Sequence, residues 1–435
     1  MPTTQGRKPI RFCVIPSFLF LMLVFSSVAW GLVPEKVLVS FNGTDGNMPS
    51  GLSMDAAGNL WGVTSEGGTG QCGGPPSVGC GIVFELTPTA GGGWGSKTIY
   101  NFQGGRDGAG PSGNLAFDAA GNVYGVTGSG GTGCNCGTVY ELSPDGDRYQ
   151  HGVIYRFNNT KSHMDGESPY GGLVMNAGNL YGTTISGGAF CTAGCGTIFE
   201  LSLSGGSWAE TLIYPFKGGS EDGATSYSPV VFDAQGNFYG TTYSGGAGFG
   251  VVYEFSPVDG GYWTQSILYQ FQGRRDGGSP IAGVVLDATG NLYGTTTVGG
   301  NGNCGSAGCG IVFELSPTSG GAWTETTIHA FGSNEGQVPG GGVILDSAGN
   351  LYGVTAFGGA YSWGVAYKLT PGTGGSWTES DLHNFGNGTD GKHPGQSLVF
   401  DSAGNLYGVT GFGGTYVSGA CSGNNGCGTV FQLSP

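Results

Sequence analysis

The chain has 435 residues, 94 of them glycine, and its 29 acidic residues against 14 basic ones leave a net charge of −15. A field of that sign repels nucleic acid and anionic membrane surfaces, so neither is an expected partner. The glycines show no three-residue period and sit beside β-branched and aromatic residues in short alternating runs, which excludes both collagen and a disordered linker.

Residues 1–31 read as a signal peptide: Arg7, Lys8 and Arg11 precede an apolar run to Val28, and Ser27-Val28-Ala29 offers cleavage after Ala29, with Gly31 as a second choice. The run is nearly long enough to span a bilayer, so a retained anchor is the alternative. Cys13 stands before the run, unlike a lipid-attachment cysteine. Three of the basic residues and none of the acidic ones lie in this segment, so the remainder is more acidic than the whole. A secreted, periplasmic or extracellular protein is expected, without membrane contact once the signal is removed.

From there one frame, Asp-x-x-Gly-Asn-apolar-aromatic-Gly, organises the chain. Its first glycine falls at Gly58, Gly121, Gly178, Gly236, Gly290, Gly349 and Gly404, at intervals of 54 to 63 residues. A period of this size marks a solenoid, a propeller or an array. In the fifth copy, 281–287 is an apolar run, 287–291 a turn, 291–297 an alternating strand, 298–308 a glycine-rich loop, 310–315 a third strand and 323–331 a fourth. Four short strands repeated seven times predict an all-β, seven-bladed β-propeller in one domain over 32–435. The blades are expected near 47–102, 108–157, 166–216, 223–271, 277–331, 336–385 and 391–435. The sequence ends at Pro435 after a third strand, whereas 36–41 resembles the fourth strand at 97–102. The N-terminal strand is therefore expected to complete the last blade and close the ring. Antiparallel order puts the loops between strands two and three, and the links between blades, on one variable face. The Asp-x-x-Gly-Asn turns fall on the other.

Ten cysteines beyond Cys13 form five local pairs, all in loops between strands two and three: Cys72/Cys80, Cys134/Cys136, Cys191/Cys195, Cys304/Cys309 and Cys421/Cys427. An even count in an exported chain reads as disulfides. Zinc would want four ligands at close spacing, and no histidine lies near the pairs in sequence, so no metal site is expected. Cys134-Asn135-Cys136 can bridge only in a tight ring, which leaves a strained bridge, a free pair or a redox pair. The cysteine-free fourth and sixth loops carry Phe249 and Trp363 at the matching position.

Each blade link holds one acid before glycine: Asp45, Asp107, Asp165, Asp222, Asp276, Glu335 and Asp390. They read either as a ring of carboxylates able to hold Ca²⁺ or polar ligands, or as Asp-Gly turn chemistry repeated with the turn. His329 and His383 stand where other blades have tyrosine, a packed position, and His151 opens a fourth strand. His163 and His393, near Asp165 and Asp390, are the catalytic candidates. Phe190, Tyr243, Phe249, Phe357, Tyr361, Trp363, Phe412 and Tyr416 fall on the variable face, to stack on sugars or to cover loops that lack a disulfide. The aromatics of the second strands, Trp61 and its counterparts, read as core between blades. No nucleophile elbow, His-Glu-x-x-His or phosphate loop is present.

The succession Asp-x-x-Gly-Asn-Leu-Tyr-Gly-Thr-Thr, Gly-Gly, Cys-Gly-Thr-Val-Phe-Glu-Leu-Ser-Pro and Phe-x-Gly-x-x-Asp-Gly resembles the Gloeo/Verruco (GloVer) tandem repeat of exported bacterial proteins, over roughly residues 36–435. The resemblance implies fold and location and supplies no catalytic residues. Two functions follow as expectations. The first is a non-enzymatic binding scaffold for a glycan or an envelope protein. The second is a carbohydrate-active enzyme, a hydrolase or lyase, at the axial mouth of the variable face. A matrix component with bound Ca²⁺ is a third, and no other cofactor is expected.

Overall fold

The Asp-x-x-Gly-Asn frame folds into a turn that ties itself shut. In the sixth copy, Asp346 Oδ1 accepts the backbone N–H groups of Ala348 and Asn350 at 2.9 and 2.8 Å. Its Oδ2 accepts Asn350 Nδ2 at 2.7 Å and the Tyr352 hydroxyl at 3.1 Å. A short acidic side chain can satisfy the turn's own donors, and Gly349 supplies the φ of 84° that the turn needs. The same pattern recurs at Asp55, Asp118, Asp233, Asp287 and Asp401, with Trp61 Nε1 replacing the hydroxyl in the first. Burial alone would raise these carboxyls, but the hydrogen bonds outweigh it and hold Asp118, Asp287, Asp346 and Asp401 below the ordinary aspartate value. The third copy departs from the frame. Met175 stands in the aspartate's place, the turn tightens to Ala177 and Gly178 at φ 50° and 85°, and Glu200 accepts Asn179 Nδ2 and the Tyr181 hydroxyl instead. Replacing Asp346 by Ala is expected to cost about 2 kcal/mol, because it strands Asn350 Nδ2 and the Tyr352 hydroxyl. The measurement is a lower urea midpoint at unchanged slope, with Asp346→Asn intermediate.

The computed structural model describes residues 1, 33, 35–72, 79–131, 133–158, 164–192, 194–300, 302–417, 419–421 and 425–435. The expected signal peptide lies outside these residues, apart from Met1. Among the described residues no helix is long and apolar enough to cross a membrane.

Seven four-stranded antiparallel sheets follow one another along the chain. Blade 1 runs Asn47–Met54, Leu60–Glu66, Ile82–Pro88 and Trp94–Asn101. In blade 7 the fourth strand comes from the other end of the chain. Lys36–Ser40 pairs antiparallel with Thr429–Leu433, from Lys36↔Gln432 to Ser40↔Thr429. This closes the ring and leaves no sheet edge there.

One hydrophobic cluster fills each gap between adjacent blades. Phe41, Leu52, Phe84 and Val430 lie between blades 7 and 1, and Tyr352, Phe385, Leu406 and Phe431 between blades 6 and 7. The second-strand aromatics sit in these gaps as expected. Trp61 meets Tyr149 edge-on, and Tyr124, Tyr181, Tyr239 and Tyr293 meet Trp208, Trp263, Trp323 and Trp377, with centroids 5.3 to 6.5 Å apart.

The inner strands differ from expectation. They are long only in blades 1 and 2; in blades 4, 5 and 6 the paired part shrinks to Val231–Phe232, Val285–Leu286 and Ile344–Leu345. Inner strands converge at the axis, where backbone packs on backbone. A Cβ on Gly51 would overlap the Gly113 carbonyl, one on Gly171 would overlap Ser228 and Pro229, and one on Gly341 would overlap Gln396. Small residues permit this approach and weaken the ladder, and Pro229 cannot donate to it.

Candidate functional site

The seven link acids do not line the axis. Each folds back onto its own link, and all but Asp45 also approach the Tyr or His of the fourth strand that precedes them. Asp107 accepts the Tyr100 hydroxyl at 2.8 Å and the Gln103 N–H at 2.7 Å. Asp222 accepts the Tyr214 hydroxyl at 3.0 Å and the Lys217 N–H at 2.7 Å. Asp276 accepts the Tyr269 hydroxyl at 3.1 Å and the Gln272 N–H at 2.8 Å, and Asp165 accepts the Tyr155 hydroxyl and the Asn158 N–H. Glu335 accepts the Gly332 N–H at 3.1 Å with His329 Nε2 3.9 Å away, and Asp390 accepts the Gly386 N–H at 3.1 Å with His383 Nε2 at 3.0 Å. Asp45, in the link that follows Val39, accepts the N–H and side-chain amide of Asn42 at 2.8 and 2.9 Å. In this arrangement each acid caps its own link loop. His163 lies outside the described residues.

A third residue, which sequence reasoning missed, joins six of these junctions from the fourth strand of the following blade. His151 stacks on Tyr100 at 4.1 Å, with Nδ1 3.3 Å from Asp107. Gln265 Nε2 donates to Asp222 at 2.8 Å. Glu210 feels the charge of Asp165 and Glu325 that of Asp276, while Glu379 feels Asp381 of its own strand first and Glu335 across the junction second. Burial first, and the neighbouring carboxylates second, push Glu210, Glu325 and Glu379 up to about 7. At the sixth junction Glu35 stands beside His383 and Asp390. Burial raises Asp390 to about 6 and lowers His383. The signal was present in the sequence as a polar residue two places after the strand's opening aromatic, as in Trp208-Ala209-Glu210 and Trp323-Thr324-Glu325.

On the variable face, disulfides join Cys72 to Cys80, Cys134 to Cys136, Cys191 to Cys195, Cys304 to Cys309 and Cys421 to Cys427, with Cα atoms 4.9 to 5.6 Å apart. The second cysteine of each pair also clasps the next blade. Its carbonyl accepts the N–H of Gly110, Ser168, Thr225, Val338 or Met48 at 2.7 to 3.1 Å. Phe249 and Trp363 accept Ser279 and His393 in the same way at 2.7 and 2.9 Å. All seven donors have φ between 53° and 64°, a left-handed conformation that only a repeated clasp holds in six non-glycine residues. The Phe249 ring lies against Gly273 and the Trp363 ring against Gly386, as Cys72 Sγ lies against Gly104 and the Cys191 and Cys195 sulfurs against Gly218. The two rings thus occupy the place of a disulfide.

Symmetry breaks at two further places. His393 does not pair with Asp390, although it is three residues away. The chain has already turned into blade 7 there, and the ring sits among Phe357, Trp363 and Phe412 at 4.5, 4.9 and 5.3 Å, with Nδ1 2.9 Å from the Ala356 carbonyl. Burial holds it below the ordinary histidine value. Phe190, Tyr361 and Tyr416 are exposed and do not join this group.

The second place is the axis. A cavity of about 540 Å³ runs between the inner strands, lined by Gly113, Ser228, Val284 and Gly341 among others. The described residues around it include no carboxylate and no histidine. Tyr170 and Tyr227 stand on its wall at the variable-face end, and Tyr243 continues the row; successive rings meet edge-on at 5.6 and 5.7 Å.

No curated protein sequence matches the chain. Among solved structures it is similar to the periplasmic gluconolactonase PpgL of Pseudomonas aeruginosa, at 14% identity over 92% of this chain and 99% of that one, with a TM-score of 0.50. It is also similar to a fungal alcohol oxidase of the AA5 family in complex with copper, at 13% identity over 93% of this chain and 77% of that one, with a TM-score of 0.53. At such identity the likeness shows the fold alone. The model of the Gloeobacter/Verrucomicrobia repeat matches residues 31–221, 191–307 and 303–435, and the chain therefore belongs to the Gloeobacter/Verrucomicrobia repeat family.

Proposed function

We propose that the chain is a binding module that works outside the cytoplasm and takes a glycan at the axial mouth of its variable face. The observation that carries this reading is the row Tyr170–Tyr227–Tyr243 beside the axial cavity. Tyrosine rings offer flat apolar faces for sugar C–H groups while the hydroxyl stays wet. The cavity, about 540 Å³, falls in the size range of small-ligand sites. The polar residues Asn114 and Gln396 stand on its wall, and the glycines bring bare peptide groups. Five disulfides suit an oxidising compartment.

The carbohydrate-active enzyme reading has less support. Glycoside hydrolysis by the usual route needs two carboxyl groups facing each other across the sugar. The described residues around the cavity offer none, and the link acids are engaged at the blade junctions.

A glycan array followed by calorimetric titration of the best oligosaccharide tests the proposal. Saturable binding is expected, and Tyr227→Ala should weaken it at least tenfold, about 1.4 kcal/mol. Tyr262→Ala, at an exposed position on the opposite turn, should leave it unchanged. Absence of any glycan ligand, or equal affinity in both variants, would sink the reading.

A further inference from the structure

We propose that Glu35, His383 and Asp390 form a site for one divalent transition-metal ion, which clasps the ring-closing strand to blade 6. Each residue offers one ligand atom, and the three atoms lie within 4.8 Å of one another. Among the described residues this is the one such group of three metal-ligating side chains. The ligands come from three segments. His383 belongs to the fourth strand of blade 6, Asp390 to the link into blade 7, and Glu35 immediately precedes the closing strand Lys36–Ser40.

The histidine is oriented from behind. Its Nδ1 lies 3.1 Å from the Val33 carbonyl, which can only accept, so Nδ1 carries the proton. Nε2 then points a lone pair at Asp390 Oδ2, 3.0 Å away. Two lone pairs at that distance repel, and a cation held by both converts the repulsion into ligation. A backbone carbonyl behind the imidazole is the support that fixes the tautomer of a metal-bound histidine.

Glu35 gives an independent indication. Its Oε1 is shut off from solvent and has no hydrogen-bond partner among the described residues. The Asp390 side chain beside it is only 7% exposed. A carboxylate oxygen buried without a partner is destabilising, and a bound cation removes that cost. A cavity of about 360 Å³ lies over the group, with Tyr361, Asn387 and Thr389 on its wall, which leaves room for water to complete the coordination shell. The junction between blades 5 and 6 has related residues in a looser arrangement: His329 Nε2 is 3.9 Å from Glu335.

One imidazole and two carboxylates suit zinc or a similar ion better than Ca²⁺, which gathers six to eight oxygens. Because Glu35 leads into the closing strand, ion binding would add directly to the stability of the closed ring. The test uses the full chain freed of metal with a chelator. Zn²⁺ is titrated by calorimetry and Co²⁺ by visible absorption. Expected are one ion per chain, cobalt d–d bands, a higher Tm with Zn²⁺, and at least tenfold weaker binding in Glu35→Gln and His383→Gln. His329→Gln should bind as the parent does. The cobalt spectrum of the unaltered protein keeps the proposal testable if a variant fails to fold. No saturable binding, or parental affinity in both Glu35→Gln and His383→Gln, would overturn it.

Discussion

Deletion of residues 1–41 is expected to abolish the monomeric fold, whereas Phe41→Ala weakens it without destroying it. Phe41 is 1% exposed, meets Phe84 edge-on at 5.2 Å, and packs with Leu52, Ile82 and Leu86 across the gap between the last blade and the first. Truncating such a side chain costs about 3–5 kcal/mol. That is a large share of the roughly 5–15 kcal/mol that holds a domain together. The deletion removes more. It uncovers Thr429–Leu433 as a bare sheet edge and takes away Leu38 and Val39, which pack against the same cluster. A bare edge seeks another strand, so the truncated chain should appear as aggregate or as strand-exchanged oligomer. Size-exclusion chromatography with urea unfolding decides the matter. A monomeric deletion variant with the parental midpoint would show that the closing strand contributes nothing.

That closing strand was legible in the sequence because Lys36 to Phe41 copies Lys97 to Phe102 in kind, and a copied strand has a copied place. The turn frame was legible for a related reason. Its hydrogen bonds reach only two, four or six residues ahead, so the motif carries its own structure. The junction residues were not legible. Glu210 and Asp165 meet across two blades, and a polar residue in an exposed outer strand reads as a solvated face. Distance in sequence also misled the pairing of Asp390. His393 is nearer along the chain, but the link turns it away toward Phe357, while His383 comes back across the loop. The axial cavity was hidden because the glycine-rich inner strands make it by packing backbone against backbone, which leaves no side-chain pattern to read.

The second large effect is a pH dependence carried by three carboxyl pairs. Glu210 and Glu325 each stand near one junction acid, and Glu379 near Asp381 and then Glu335; all three are pushed up to about 7, burial being the larger cause. A carboxyl raised in the folded state binds more protons there than in the unfolded chain. Its stabilisation is therefore complete below about pH 4.5 and is lost as pH rises through about 7. Each glutamate is partly exposed, so the loss is discounted to about 1 kcal/mol apiece, roughly 3 kcal/mol for the three.

Other groups oppose this trend in part of the range. Burial holds His151, His329, His383 and His393 below the ordinary histidine value, so their effect favours folding as pH rises toward about 6.5 and then ends. The turn aspartates act only in acid. Asp390, which burial raises to about 6, acts in the same direction as the glutamates but is largely spent by about pH 6.5; between about pH 6.5 and 8 the glutamates dominate, and the urea midpoint should fall. The triple variant Glu210→Gln, Glu325→Gln, Glu379→Gln should remove that fall and be more stable than the parent at pH 8. Blade 4 already shows the glutamine solution, since Gln265 Nε2 donates to Asp222 at 2.8 Å in the place where blades 3, 5 and 6 carry Glu210, Glu325 and Glu379. Parallel pH profiles for the variant and the parent would show that the three pairs share no proton.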